Sequence, residues 1–229
     1  MDIKQVTLQA TKIEEMKYFY TVTLGLDLVE DNEDKFCVAV GSSKLEFTST
    51  NEKVNPYYHF AFNIPRNKFN EAKSWVEEKV SLNREDGVDE ADFPHLSARS
   101  LYFNDPSGNI VEFISRHSTS DNGDEPFSHK SILNISEISL TVLDAIKVGR
   151  QLMELGIKER DNEPLSATSL NFMGDTKAGV FVLLVQPGRK WIFSDKDSTV
   201  FPLEITLAND VKIILNDENE VVVTSALVQ

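Results

Sequence analysis

"SLYFNDPSGNIVEFI", residues 100–114, decides how the chain folds. Two apolar runs flank Asp105-Pro106-Ser107-Gly108, and that turn chemistry predicts a hairpin with strands over 100–105 and 109–116. Strand side chains alternate, so Glu112 faces away from Val111 and Phe113. A carboxylate at that place is either paired with a cation such as Arg116 or put to chemical use. Upstream, "YYHFAFNIP" (57–65) is a second buried strand, carrying the single histidine His59. Taken alone, His59 reads as a core histidine with a satisfied hydrogen bond. Between the two lies "NKFNEAKSWVEEKV" (67–80), with the spacing of an amphipathic helix.

The same order stands earlier in the chain. "IKQVTLQA" is a strand, "KIEEMKYFYTVTLGL" a helix stopped at Gly25, and "DLVED", "KFCVAVG" and "SKLEFTST" are three strands. Two βαβββ units therefore fill residues 1–118. A polar, turn-rich linker (119–131) follows, and then "ISEISLTV" and "LDAIKVGRQLMELGI" begin a third unit. The strand-to-glycine offset is 20 residues from Gln5 to Gly25 and 19 from Glu137 to Gly156. "PLEITLAND" opens a fourth unit, which the chain leaves incomplete. Residues 132–229 read as a degenerate second domain.

At 229 residues the chain can bury a sizeable core in one or two domains. Its composition is that of a soluble globular protein, and no apolar run is long enough to span a membrane. The net charge of −14 repels phosphate backbones and anionic lipid, which argues against nucleic-acid and membrane partners. The N-terminus lacks the pattern of a signal peptide, and one cysteine, Cys37, permits no internal disulfide; a reducing cytoplasm is the expected setting. Cys37 reads as a packed thiol, having no charged activator beside it.

Each opening strand carries a distinctive residue at one register: Gln5, His59, Glu137 and Glu204. The closing strands of the first two units add Glu46 and Glu112. If two sheets curl toward one another, Gln5, Glu46, His59 and Glu112 meet in one cup. One imidazole, one amide oxygen and two carboxylates suit a single divalent ion: zinc, nickel, manganese, cobalt or iron. Singly, each has a plainer reading, with Gln5 on an exposed face, Glu46 beside Lys44 and Glu112 beside Arg116.

The hairpin resembles the closing hairpin of the vicinal oxygen chelate superfamily, an aromatic strand followed by Asp-Pro-x-Gly-Asn, an apolar residue and Glu. "YYHFAF" resembles that family's second opening strand, and "FYTVTLGLDLV" its helix end. The superfamily includes glyoxalase I, fosfomycin resistance transferases, extradiol ring-cleaving dioxygenases and metal-free bleomycin resistance proteins. The resemblance implies an α+β fold of tandem βαβββ units around a cup, and it covers 1–116 well and 132–229 faintly. Carried over, the metal ligands fall on Gln5, His59 and Glu112, with Glu46 where glyoxalase I keeps a fourth.

That set implies glyoxalase-like lyase or isomerase chemistry on a small oxo or hydroxy-carbonyl substrate, with or without a thiol co-substrate. Glu112 or Glu46 is then the base that moves the proton, and the resemblance does not decide between them. Thr7 and Tyr102 are placed to line the cup, and Arg99 to meet an anionic group, although strand packing and an exposed arginine are the plainer readings. His95 lies in a loop without a signature. The competing readings are a ring-cleaving dioxygenase, a thiol transferase and a metal-free binding protein for a small molecule or drug. Tandem units build the cup in a monomer or between the chains of a homodimer.

Overall fold

The computed structural model describes residues 1–51 and 53–225. Its strands are β1 (Ile3–Ala10), β2 (Leu28–Asp31), β3 (Lys35–Val40), β4 (Ser43–Ser49), β5 (His59–Ile64), β6 (Ala91–Phe93), β7 (Ala98–Asn104) and β8 (Ile110–Arg116). They continue with β9 (Asn134–Thr141), β10 (Asn171–Asp175), β11 (Val180–Val185), β12 (Leu203–Leu207), β13 (Val211–Leu215) and β14 (Val221–Ser225). The helices are α1 (Ile13–Tyr18), α2 (Phe69–Glu77) and α3 (Ala145–Glu154). The expected first helix is shorter than its apolar spacing suggests, because a π-helical turn (Phe19–Thr23) replaces its end and carries Tyr20 inward.

The strands form two curled sheets of seven. Sheet A has the order β14-β13-β12-β1-β4-β3-β2, and sheet B the order β10-β11-β9-β5-β8-β7-β6. The first unit is thus joined to the fourth through the antiparallel pair β1–β12, and the second to the third through β5–β9. The two sheets are built across the linker: residues 1–118 supply β1–β4 to sheet A and β5–β8 to sheet B, and the later half adds three strands to each. The physical reason is edge pairing: β1 and β5 each need a partner on the side away from their own unit, and the later half supplies both.

One face of both sheets closes on a single apolar core. Leu8, Phe47, Phe60, Phe113, Leu140 and Ile213 all belong to it. Alternation then forces the residues between them onto the opposite faces, which are the two cups. Gly25 (φ +75°) and Gly156 (φ +81°) end their helices at equivalent places in the left-handed region, as the repeat requires.

The hairpin read first ties the two sheets together. Asp105 accepts from the backbone N–H groups of Ser107 and Asn109, both at 3.0 Å, and from the Asn109 side chain at 2.7 Å. Tyr20, stacked on Phe47 of sheet A, donates its hydroxyl to Asp105 at 2.8 Å. Asn109 in turn accepts from the N–H of Tyr58, one residue before His59. The turn therefore fixes where β5 begins.

Burial pushes the Asp105 carboxyl up to about 6, against the pull of the donors on Asn109, Tyr20 and Ser107. Its folded pKa lies above its unfolded one, so its contribution to stability is full in acid and is lost as pH rises through about 6. A rise of that size above an ordinary carboxyl is worth at most about 3 kcal/mol. Asp105→Asn should flatten this fall relative to the wild type, as read from urea midpoints between about pH 4 and 7. A chain ended at residue 118 would leave the β1 and β5 edges bare. It should associate or precipitate, checked by size-exclusion chromatography and circular dichroism.

Candidate metal centre

Glu112 of β8 and Glu137 of β9 both stand opposite Ala61 of β5. They flank one strand from either side, and His59 precedes Ala61 by two residues, on the same face. The methyl of Ala61 leaves the space between them open. One ligand atom from each of His59, Glu112 and Glu137 lies within 4.8 Å of the others, and all three residues are buried. A bulge in the β5–β9 pairing between Ala61 and Phe62 sets this register, because Ser136 is extra on β9.

The imidazole is oriented. Its Nδ1 donates to the Ile110 carbonyl at 3.0 Å, so Nε2 is the atom turned to the Glu112 carboxylate, 3.4 Å away. A neutral Nε2 lone pair facing a carboxylate is repulsive unless a proton or a cation stands between them. Burial pulls the imidazolium down, but Glu112, then Glu137 and the Ile110 carbonyl, outweigh it, and the His59 pKa is raised. Burial also raises Glu137, opposed by the guanidinium of Arg116, which donates to it. Tyr102 stands opposite Glu112 on β7, and its phenol is held well above its ordinary value by burial and by the charges of Glu112 and Glu137.

One imidazole and two carboxylates, with a hydrogen-bonded imidazole behind, form a donor set that fits a divalent ion. The neighbours of the set suit that use. Tyr102, Phe181 and Leu183 belong to an apolar cluster that lines the cup, with Trp191 and Phe193 added from the loop after β11. A cavity of about 250 Å³ lined by His95, Arg116, Arg160 and Phe181 reaches the cluster from the side.

The structure divides the expected ligand set. Gln5 and Glu46 lie in sheet A, His59 and Glu112 in sheet B. Thr7 stands where sheet B has Ala61, opposite Glu46 on one side and Glu204 on the other. Its hydroxyl donates to Glu46 at 3.1 Å and accepts from Gln5 at 3.3 Å. Lys35 pairs with Glu46 at 3.1 Å and Lys212 with Glu204 at 2.5 Å. Sheet A thus repeats the register of sheet B with its carboxylates already neutralised. Tyr102 does line the sheet B cup, but Thr7 lines that of sheet A. Arg99 lies over Phe69 and pairs with Glu90, away from either carboxylate row. Cys37 is buried and its thiol is pushed up to about 11, mainly by burial, as a packed thiol should be.

Four residues of the site lie outside the ligand and contact set expected from the sequence. Glu137 carries a signal in its shared register with His59, but its unit looks degenerate without a closing Glu of its own. Arg116, expected beside Glu112, instead holds Glu137. Trp191 and Phe193 lie in a loop with no periodicity.

A family model described as toxoflavin-degrading enzyme matches residues 135–189. No curated protein matches the sequence. Among solved structures, a provisionally assigned dioxygenase from Bacillus subtilis is 14% identical, with 96% of this chain and 72% of that one covered at a TM-score of 0.59. The lactoylglutathione lyase of Agrobacterium tumefaciens is 21% identical over 49% of this chain and 91% of its own, at 0.41. A glyoxalase/bleomycin resistance protein/dioxygenase from Nocardioides is 17% identical over 55% and 89%, at 0.43.

Removing Arg116 would strand a buried carboxylate on Glu137. Arg116→Ala should therefore cost about 3–5 kcal/mol in chemical denaturation. The pair Arg116→Met with Glu137→Leu should recover most of that loss, since neither charge then remains.

Proposed function

The chain has the vicinal oxygen chelate fold of the glyoxalase, bleomycin resistance and dioxygenase proteins, and on it we propose a divalent-metal-dependent, glyoxalase-like lyase or isomerase working in the cup of sheet B. The observation that supports this is the cluster of His59, Glu112 and Glu137, buried together with the imidazole turned by Ile110. The substrate is a small oxo or hydroxy-carbonyl compound, with a thiol as co-substrate where the carbonyl is first masked as a hemithioacetal.

His59, Glu112 and Glu137 would hold the ion, and when bound it would supply a Lewis acid that polarises the substrate carbonyl. Glu112 takes the role of base in preference to Glu137, whose carboxylate Arg116 already engages. Glu46, the other carboxylate considered for that role, belongs to sheet A with Gln5 and takes no part. Tyr102 keeps its proton and donates it as a hydrogen bond beside Glu112, to an oxygen on which charge develops. Arg116 opposes the protonation of Glu137 that burial favours, and holds it in position. Trp191 and Phe193 exclude water from the proton's path.

A second reading, a metal-free binding protein, draws on charge balance. Arg116 with Glu137 and a protonated His59 with Glu112 leave no net charge to be met by an ion.

Metal analysis of the purified protein separates the two. The first reading expects about one divalent ion per chain, falling at least tenfold in His59→Ala and Glu112→Ala and unchanged in Gln5→Ala and Glu46→Ala. The loaded protein should turn over a 2-oxoaldehyde, alone or with thiols, without oxygen uptake. Glu112→Gln should lower kcat by about 10²-fold or more. Catechol-dependent oxygen consumption without aldehyde turnover would replace isomerisation by ring cleavage, and no metal after reloading would favour the binder.

A further inference from the structure

Among the described residues, each sheet is built as four strands beside three. In sheet A the first unit supplies β1, β4, β3 and β2, and the fourth supplies β12, β13 and β14. In sheet B the second unit supplies β5, β8, β7 and β6, and the third supplies β9, β11 and β10. Both later units are therefore one strand short at the outer edge. Sheet B fills that place from its own chain. The N–H of Arg160 donates to the Phe172 carbonyl and the N–H of Gly174 to the Lys158 carbonyl, both at 2.8 Å, and Glu159 bridges to Met173. In sheet A no strand among the described residues lies beyond β14.

The other outer edges are guarded against a further strand. β2 is fully exposed, carries Glu30 and Asp31, and is bent by a bulge between Leu28 and Glu30. β6 has three residues, with Asp92 at its centre, and runs straight into a turn opened by Pro94. β14 has none of these devices. It reads Val-Val-Val-Thr-Ser, holds a regular register on β13, and includes no charge and no proline. Apolar surface continues beside it: Val222 is 44% exposed and Leu143, just before α3, 63%. Both line a groove of about 350 Å³ with Val148 and Gln151. The side-chain oxygen of Gln151 is buried and accepts no hydrogen bond from the described residues.

We propose that β14 is a dimerisation edge, on which a second copy of this chain lays its own β14 antiparallel, joining two copies of sheet A across a two-fold axis. Such a seam is isologous, so the strand has to complement its own reverse. With the axis at Val223, Val222 faces the partner's Thr224, and β-branched side chains meet all along the centre. Charge selects the direction. The antiparallel order sends the two Glu220 carboxylates to opposite ends, about 20 Å apart at the rise of a strand. A parallel order would set them side by side, in a chain of net charge −14. The partner edge is β14 itself, because β2, β6 and β10 are bent, short or already covered, and a two-fold pair closes without growing into a fibre. A seam of one strand pair is small, so the association is weak and depends on concentration.

Sedimentation of the full chain from about 1 to about 500 µM tests it, and the mass should double across that range. Val222 and Thr224 are both exposed, so charges placed there should leave the thermal transition in place. Val222→Lys with Thr224→Lys, and separately Val222→Glu with Thr224→Glu, set like charges across the seam. Each pair of substitutions should weaken self-association about tenfold or more. Mixed in equal amounts, the lysine and glutamate forms should associate with one another and recover the dimer. Hydrogen exchange of the unaltered chain needs no variant: amides of β14 should slow as concentration rises, and those of β2 should not. A monomer at every concentration would leave the edge to some other chain and overturn the inference. So would a dimer that both charged forms retain, or one whose β14 amides exchange as they do in the monomer. The seam lies in sheet A, so neither result depends on what the cup of sheet B binds.

Discussion

The pairing of β5 with β9 is the constraint on which the site depends. Nothing in the sheet itself demands that two carboxylates face one another across a strand, and burying them side by side is unfavourable. The bulge at Ser136 brings Glu137 opposite Ala61, where Glu112 already stands on the other side. A slip of one residue would turn Glu137 into the apolar core and Ile138 into the cup. The register is held from both directions: Ile138 must stay with Phe60 and Leu140 in the core, and Ser139 in the cup accepts the backbone N–H of His59 at 3.1 Å.

The two sheets show what a single side chain at the centre of such a row decides. In sheet B the central residue is Ala61, and donors from three strands converge over its methyl group. In sheet A it is Thr7, whose hydroxyl fills that space and binds Glu46 and Gln5. The flanking carboxylates there lean to Lys35 and Lys212, which are partly exposed. The same repeat has thus produced one cluster that converges on a shared point and one whose carboxylates are each paired outward with a lysine.

Most elements were legible from period and punctuation. Alternation and turn residues marked the strands of 1–116, and the glycine offset marked the third unit. The fold class followed from the hairpin at Asp105 because the bonds that shape the turn itself are local, running from Asp105 to residues four or fewer positions on, while the ties to Tyr20 and Tyr58 only dock it. Which unit pairs with which was not legible. A repeat fixes equivalent registers but not the partner of an edge strand. First with second and third with fourth is the simpler expectation, whereas the pairing joins first to fourth and second to third. The expected ligand set depends on that choice, which groups His59 and Glu112 with Gln5 and Glu46 instead of Glu137. Trp191 and Phe193 had no signal to read, because a loop that folds over a cup needs neither period nor alternation.

The cluster also bears on why so acidic a chain carries charge inward. Surface carboxylates account for the net charge of −14 and cost little where water reaches them. Inside the cup the balance is local: Arg116 answers Glu137, and His59 answers Glu112 through a proton or a cation. Well-packed apolar residues at the same four places would satisfy the fold at least as well, since a buried ion pair recovers little more than its own desolvation. Yet the ionisable residues of β5, β8 and β9, namely His59, Glu112, Arg116 and Glu137, meet at one point under aromatic cover. Ionisable groups with shifted pKa values gathered in this way are a candidate for a working site, and the Nδ1 bond to Ile110 leaves the Nε2 of His59 aimed at them.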